Sequence, residues 1–343
     1  MNDIKSMNFE EVQNFVESLS EKKFRAKQLY EWMHIKEVRS YDEMLNLSNS
    51  FKEKLNENTV YTSLKVITKL TDEVDHTTKY LFELMDGQLV EAVLMKYKYG
   101  YSICISSQVG CKMGCTFCAS TIGGLIRQLT PAEMLDQVYA IEYELQEPIH
   151  SVVVMGTGEP LDNYDNLVTF IRLLTDENGR NLSRRNITVS TCGIIDKIEA
   201  ISKDLPQINL AISLHSPNQE MRKKVMPISN KFILSDLIMA CKKYTEVTRR
   251  RITFEYSLIK GVNDSVKDAS ELIQLLKGLL CHVNLIPVNP VDERGHKASE
   301  VADIRRFKDI LEKANIQVTI RRSLGQSIDA ACGQLRNRHE KDQ

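Results

Sequence analysis

The chain has 343 residues, 42% of them hydrophobic and 27% charged; it can bury more than one small core and is too apolar to be disordered throughout. Its 45 Lys+Arg and 46 Asp+Glu nearly cancel, which excludes a polycationic nucleic-acid coat but allows a local basic patch. No apolar run approaches the roughly 20 residues that span a bilayer. The opening Met1-Asn2-Asp3-Ile4 lacks a basic-then-apolar leader, so a cytoplasmic location without membrane attachment is expected. Eight cysteines in a cytoplasmic chain are not expected to be structural disulfides, so their spacing matters more than their number.

Residues 1–58 read as helical. Phe9, Val12 and Val16 fall on one helix face, Leu29, Trp32 and Met33 repeat the pattern, and Arg25, Lys27 and Lys36 decorate the outside. A small bundle with a solvated face and an RNA-contacting accessory domain both fit, and the residues alone favour the first. Stretches 62–70, 77–84, 89–97 and 101–106 are rich in β-branched and aromatic residues and read as strands, with Asp86-Gly87 a hairpin turn. From 101 onward, apolar strands at 151–155, 186–190, 208–214, 251–258, 282–288 and 316–320 alternate with amphipathic segments near 131–145, 163–176, 194–203, 233–246, 265–280 and 299–314. Thr130-Pro131-Ala132-Glu133 marks one helix start with an N-cap, a first-turn proline and a capping-box glutamate. Repeated β–α units predict an α/β fold with a parallel sheet, either an open partial barrel or a doubly wound sheet. The chain therefore divides into a helical accessory domain (1–58), a β-rich connecting extension (59–100), the β/α core (101–322) and a polar tail or mobile loop (323–343).

The strongest signal is Cys111-Lys112-Met113-Gly114-Cys115-Thr116-Phe117-Cys118, a C-x3-C-x2-C loop after a predicted strand. Three thiolates on one short loop suit three irons of a cubane cluster and leave the fourth open to a small molecule. Zinc is the competing metal, but no second C-x2-C or C-x-H pair stands nearby to complete its shell. Met155-Gly156-Thr157-Gly158-Glu159-Pro160 follows another strand. Its glycines allow close backbone approach, and Glu159 can accept from an ammonium group. Ser190, the Ser213-Leu214-His215 run and Asn289 end later strands, where barrel enzymes bind ligands; strand alternation is expected to set Ser213 and His215 on one side. Each alone is more often a strand-end hydrogen bonder or a solvated polar group.

The cysteine loop, with an aromatic before its last Cys, resembles the radical S-adenosylmethionine superfamily. With Phe24-Arg25-Ala26-Lys27-Gln28, Cys104-Ile105-Ser106-Ser107-Gln108-Val109-Gly110-Cys111 and Asp329-Ala330-Ala331-Cys332-Gly333-Gln334-Leu335-Arg336, the likeness narrows to the RlmN/Cfr family of adenosine methyltransferases and runs over nearly the whole chain. The resemblance implies a partial (β/α)6 barrel with a small N-terminal helical accessory domain. It implies a [4Fe-4S] cluster on Cys111, Cys115 and Cys118. It also implies S-adenosylmethionine held at Gly158, Glu159, Ser190, Ser213, Leu214, His215 and Asn289, two molecules per turnover. The implied substrates are 23S rRNA and the adenosine 3′ of the anticodon in some tRNAs, with an external electron donor, a thiol reductant and a monomeric enzyme.

Carbon 2 of adenine has no nucleophilic lone pair, so methylation there requires a radical route. In the family's mechanism Cys332 becomes S-methylcysteine, and the 5′-deoxyadenosyl radical takes a hydrogen from that methyl. The methylene radical adds to the base, Glu91 removes the proton, and Cys104 attacks Cys332 to release the product and leave a transient disulfide. By themselves, Cys104 reads as a small buried hydrophobe, Cys332 as a surface thiol, and Glu91, on a face with Val93 and Met95, as a harmless strand-end carboxylate. Arg184-Arg185, Arg222-Lys223-Lys224, Arg249-Arg250-Arg251 and Arg321-Arg322 are candidate RNA contacts or solvated basic runs. Two other functions fit in part: methylation at carbon 8, although Gly158-Glu159-Pro160 and Cys118-Ala119-Ser120-Thr121 look more like the C2 branch, and a non-catalytic RNA-binding iron–sulfur protein.

Overall fold

A computed structural model describes residues 1–288 and 295–322, together with 324, 325 and 328. After the two-residue strand β1 (Asn2–Asp3), helix α1 (Phe9–Ser18) opens on a capping box: Glu11 N–H donates to Asn8 Oδ1 at 2.9 Å and Asn8 N–H to Glu11 Oε2 at 2.7 Å. Helices α2 (Phe24–His34) and α3 (Asn49–Asn58) pack against it through Val12, Val16, Leu29, Met33, Phe51 and Leu55, all fully buried. Phe9 and Trp32 pack only at the edge of this cluster. Strand β2 (Thr59–Val60) closes the region by pairing with β1.

Strands β3 (Lys65–Thr71), β4 (Thr78–Glu83), β5 (Leu89–Tyr97) and β6 (Gly100–Ile105) form an antiparallel meander. The expected Asp86-Gly87 turn joins β4 to β5, with Gly87 at φ 81°. A short hairpin of β7 (Gln108–Gly110) and β8 (Leu125–Gln128) follows. Then come α4 (Pro131–Leu145), β9 (Ile149–Val154), α5 (Tyr164–Leu174), β10 (Ile187–Thr191), α6 (Ile195–Asp204) and β11 (Asn209–Ser213). After these lie α7 (Gln219–Val225), α8 (Leu234–Thr248), β12 (Ile252–Leu258), α9 (Val266–Leu276), β13 (Cys281–Pro287), α10 (Val301–Lys313) and β14 (Gln317–Ile320). The hairpin and α7 are additions to the sequence expectation.

One ten-stranded sheet runs β14-β13-β12-β11-β10-β9-β6-β5-β4-β3, and every pair from β6 to β14 is parallel. The strand order never reverses, whereas a doubly wound sheet reverses at its switch point. The open partial barrel is therefore the alternative realised. The β-rich stretch before it is hydrogen-bonded into the same sheet.

Register explains why these parallel strands alternate instead of reading as continuous apolar runs. Ile103, Val152 and Ile187 are in-register partners on one face, as are Ile212, Phe254, Val283 and Val318; all sit in the main core beneath the helices. The opposite face carries Cys104, Val153 and Thr188 in register, then Ser190, and further on Ser213, Glu255, Asn284 and Thr319. A sheet with one greasy and one polar face encloses a polar interior.

The N-terminal helices attach to this barrel through a buried carboxylate on α4. Asp136 takes the Lys5 ammonium at 2.7 Å, the Arg39 guanidinium at 2.8 Å and the Leu64 N–H at 2.7 Å. Burial raises the Asp136 carboxyl pKa, but the Lys5 and Arg39 charges and hydrogen bonds outweigh it and hold the group below the usual carboxylate range.

Candidate active site

The cysteine loop hangs from the β7–β8 hairpin. Gly110, at φ 75°, ends β7, and a Cβ there would stand 2.0 Å from the Gly124 carbonyl oxygen. Gly124 O instead accepts the Cys111 N–H at 2.8 Å, which closes the loop. Thr121 Oγ1 donates to the Cys115 and Cys118 carbonyls, and Thr116 N–H donates to Val225 O at the end of α7. Burial pushes the Cys111 thiol up to about 12, with the Cys118 charge adding to the shift. Cys115 is raised by burial and then by Cys118 and Cys111. Two buried thiols raised in this way, beside the half-buried Cys118, need positive charge among them to become thiolates, as iron supplies. Among the described residues no three donors converge on a single-ion geometry. A cluster spreads its thiolates over separate irons.

Beyond β9 the chain turns sharply beside this loop. Gly156 N–H donates to Ile105 O, and Gly158, at φ 115°, lies so close to Gln108 that a Cβ would meet the Gln108 backbone nitrogen at 2.8 Å. Glu159 is buried. Its Oε1 accepts the Leu161 N–H at 3.0 Å and its Oε2 the Cys192 N–H at 2.7 Å. Burial raises its pKa and these hydrogen bonds oppose the rise. The carboxylate expected to meet a ligand's ammonium thus also clasps the ends of β9 and β10 together.

Ser190 and Ser213 are half-buried on the polar face. Strand alternation does not extend to His215, because β11 ends at Ser213 and His215 adopts φ 54°. His215 Nδ1 accepts the Ser257 N–H at 2.9 Å, which leaves the proton on Nε2, and burial pushes its pKa down to about 3. Its ring meets Phe117 of the cysteine loop edge-on, centroids 4.7 Å apart. Leu214 is fully buried, its N–H on the Glu255 carbonyl.

Arg222 corrects the sequence reading of an RNA-facing basic run. It is fully buried on α7. Its guanidinium donates to Leu214 O at 3.1 Å, Cys192 O at 2.8 Å, Ser213 O at 3.1 Å and Ser229 Oγ at 2.6 Å. One side chain therefore ties together the ends of β10 and β11 beneath the cysteine loop. Nothing in the triplet Arg222-Lys223-Lys224 distinguishes it from a solvated patch.

Cys104 and Glu91 lie on the same face. Cys104 is the register partner of Val93 and packs with Val93, Met95, Met155 and Leu324. Glu91 follows on that face of β5, buried, with the fully buried Lys79 ammonium 3.1 Å from its Oε2. Lys79 escaped the sequence reading; only the β4–β5 register brings it to Glu91. Leu324 and the Gly325 N–H, which donates to Asp75 Oδ2 at 2.8 Å, carry the chain past Cys104 after β14. Asn289 and Cys332 lie outside the described residues.

An open parallel barrel with three cysteines on a loop beyond its first parallel strand defines a radical S-adenosylmethionine enzyme, and residues 105–276 match the model of the Radical SAM superfamily. Such an enzyme carries a [4Fe-4S] cluster and uses S-adenosylmethionine. Residues 2–60 match the Ribosomal RNA large subunit methyltransferase N-terminal domain. A probable dual-specificity RNA methyltransferase RlmN of Lachnospira eligens is 55% identical over 342 residues, covering 100% of this chain and 98% of the relative. One of Clostridium novyi is 50% identical, covering 99% of each. A radical SAM methyltransferase from Sphaerobacter thermophilus superposes with a TM-score of 0.94 at 38% identity, over 97% of this chain and 99% of that one. The chain belongs to the RlmN family of dual-specificity RNA methyltransferases.

Proposed function

We propose that this enzyme methylates carbon 2 of a specific adenosine in 23S rRNA and of the adenosine 3′ of the anticodon in some tRNAs. Cys332 is the methyl carrier, Cys104 the resolving thiol and Glu91 the base. The observation that carries the reading is the shared wall of Cys104 and Glu91, with Leu324 packed against the cluster of Val93, Met95 and Cys104. Cys332 follows Gly325 by seven residues, a reach of at most about 25 Å for extended chain, so the tail can deliver its sulfur to this wall.

The Cys332 thiolate takes a methyl from one S-adenosylmethionine, forming an S–C bond as the sulfonium's breaks. Cys111, Cys115 and Cys118 would hold the cluster, which would supply the one-electron chemistry that cleaves a second S-adenosylmethionine to its 5′-deoxyadenosyl radical and would take back the electron released when the base adduct collapses. Gly158, Glu159, Ser190, Ser213, Leu214, His215 and Asn289 hold that second cofactor molecule at the strand ends. The methyl on Cys332 loses a hydrogen atom to the 5′-deoxyadenosyl radical, giving 5′-deoxyadenosine, and its carbon bonds to the adenine. Glu91, held by Lys79, takes the proton from the substituted carbon. Cys104 attacks the Cys332 sulfur; the S–S bond forms, the S–C bond breaks and the departing carbon takes a proton. A cytoplasmic thiol system and an external electron donor restore the monomeric enzyme. Residues 1–58 serve as an accessory region for RNA, 59–100 extend the sheet, 101–322 form the catalytic barrel and 323–343 the tail that carries Cys332.

Peptide mass spectrometry of protein incubated anaerobically with S-adenosylmethionine, reductant and RNA tests this assignment. Methylated Cys332 before RNA addition, and a Cys104–Cys332 disulfide after turnover with thiol reductant withheld, are expected. A methyl group on another residue, or turnover without that disulfide, contradicts it.

A further inference from the structure

The β5–β6 turn takes no part in the chemistry above, yet it presents an unusual surface. It reads Lys96-Tyr97-Lys98-Tyr99-Gly100-Tyr101. The rings of Tyr97 and Tyr99 stack almost parallel, with centroids 5.1 Å apart and planes 5° from each other. They are 39% and 63% exposed. Tyr97 lies opposite Gly100 in the β5–β6 register, so no cross-strand side chain covers it. Paired, exposed rings of this kind leave apolar faces in water that a further flat ring can cover.

Three basic side chains belong to the same surface. Lys98 stands on the turn between Tyr97 and Tyr99, and Arg321 and Arg322 follow β14; all three are exposed, whereas Lys96 lies on the opposite face of β5 with its ammonium over the Tyr101 ring. Leu324, two residues beyond Arg322, packs against the Val93, Met95 and Cys104 cluster that the Tyr97 hydroxyl adjoins at Met95, which brings the chain after β14 to this face. Among the described residues none of these three forms an ion pair, unlike Lys54, Lys69, Lys203 and Lys260 elsewhere on the surface, although the Arg321 charge also acts on the buried Glu255. The patch is also continuous with the candidate active site. Tyr97 shares the β5 face of Met95, Val93 and Glu91, its hydroxyl reaches Met95 Sδ at 3.6 Å, and Met95 packs with Cys104. Six residues of strand separate Tyr97 from Glu91, or about 20 Å.

We propose that Tyr97 and Tyr99, with Lys98, Arg321 and Arg322, are the platform on which unpaired bases next to the target adenosine stack. The inference rests on the reading of the chain as an RNA-modifying enzyme. A base that must reach a buried centre has to leave its stack, and its neighbours then lose a partner. Tyrosine faces replace that partner whatever the base, while unpaired cations follow the phosphates.

Fluorescence anisotropy of the full-length, cluster-loaded protein over a salt series tests this, with a labelled anticodon stem-loop RNA and a fully paired RNA duplex as probes. The Tyr97→Ala/Tyr99→Ala double variant is expected to bind the stem-loop about 5- to 100-fold more weakly at an unchanged salt slope, with little change on the duplex. Tyr99→Trp keeps the affinity. Lys98→Gln and Arg322→Gln each lower the salt slope by about 1. Tyr143→Ala, which removes an exposed tyrosine on α4, leaves binding unchanged. Unchanged stem-loop affinity in the double variant, or an equal loss on the duplex, overturns the platform alone. Wild-type protein that binds neither probe overturns the enzyme reading and the platform with it.

Discussion

Arg222 is a buried cation whose recorded hydrogen bonds go to three backbone carbonyls and a serine hydroxyl. Replacing it with methionine keeps much of the bulk and removes every donor. Thermal unfolding should register a loss of about 3 kcal/mol or more, and iron retained after reconstitution should fall. Lysine should not rescue it, because one ammonium cannot span the fork of a guanidinium. A methionine variant with wild-type melting temperature and iron content would refute this role. His34 makes a different prediction. It is fully buried between Tyr30 and Tyr139, and burial pushes its pKa down to about 3. An imidazole neutral in the fold but titrating near 6.5 when unfolded binds more protons in the unfolded state. Its contribution is therefore whole above pH 6.5 and is lost as pH falls toward 3, by up to about 1.4 kcal/mol per unit. Denaturant midpoints should drop less steeply below pH 6.5 in His34→Phe than in the wild type; parallel curves would contradict this.

At the level of elements, the β7–β8 hairpin is the scaffold for the cluster loop, and Gly110 is its hinge point. Gly110→Ala puts a methyl against a carbonyl oxygen at a left-handed φ. Iron and sulfide bound per chain should drop together while far-ultraviolet circular dichroism stays nearly unchanged. Full cluster loading in the alanine variant would show that the hairpin does not set the loop. The core strands and helices were legible because each has a clean period: alternate residues on β10 and β11 go to core and interior, and 131–145 carries its own cap and proline. The hairpin was not, since three- and four-residue strands carry too little pattern to stand out from a glycine-rich loop. Helix α7 was hidden for a related reason. It spans seven residues, and its basic run reads as surface until three distant carbonyls are seen to converge on Arg222. Glu159 and Lys79 show the same limit, since their partners come from other strands whose register the local sequence does not contain.

Across the whole molecule, Asp136 joins the N-terminal helices to the barrel through Lys5 and Arg39. Asp136→Ala leaves the Lys5 ammonium buried without that carboxylate, which should destabilise by about 3–5 kcal/mol. Protease should then cut within residues 1–60 while the barrel survives; uniform resistance would contradict the attachment. Since the Asp136 pKa is depressed in the fold, its contribution holds above about pH 4 and is lost as pH falls through the folded value. The central claim concerns the reaction these parts assemble around. Nucleoside mass spectrometry of unmethylated 23S rRNA fragments and tRNA, incubated anaerobically with reconstituted protein, S-adenosylmethionine and reductant, tests it most directly. The account predicts 2-methyladenosine with the wild type and none with Cys332→Ala. An 8-methyladenosine product, or no methylated adenosine while the cofactor is still cleaved, would contradict it.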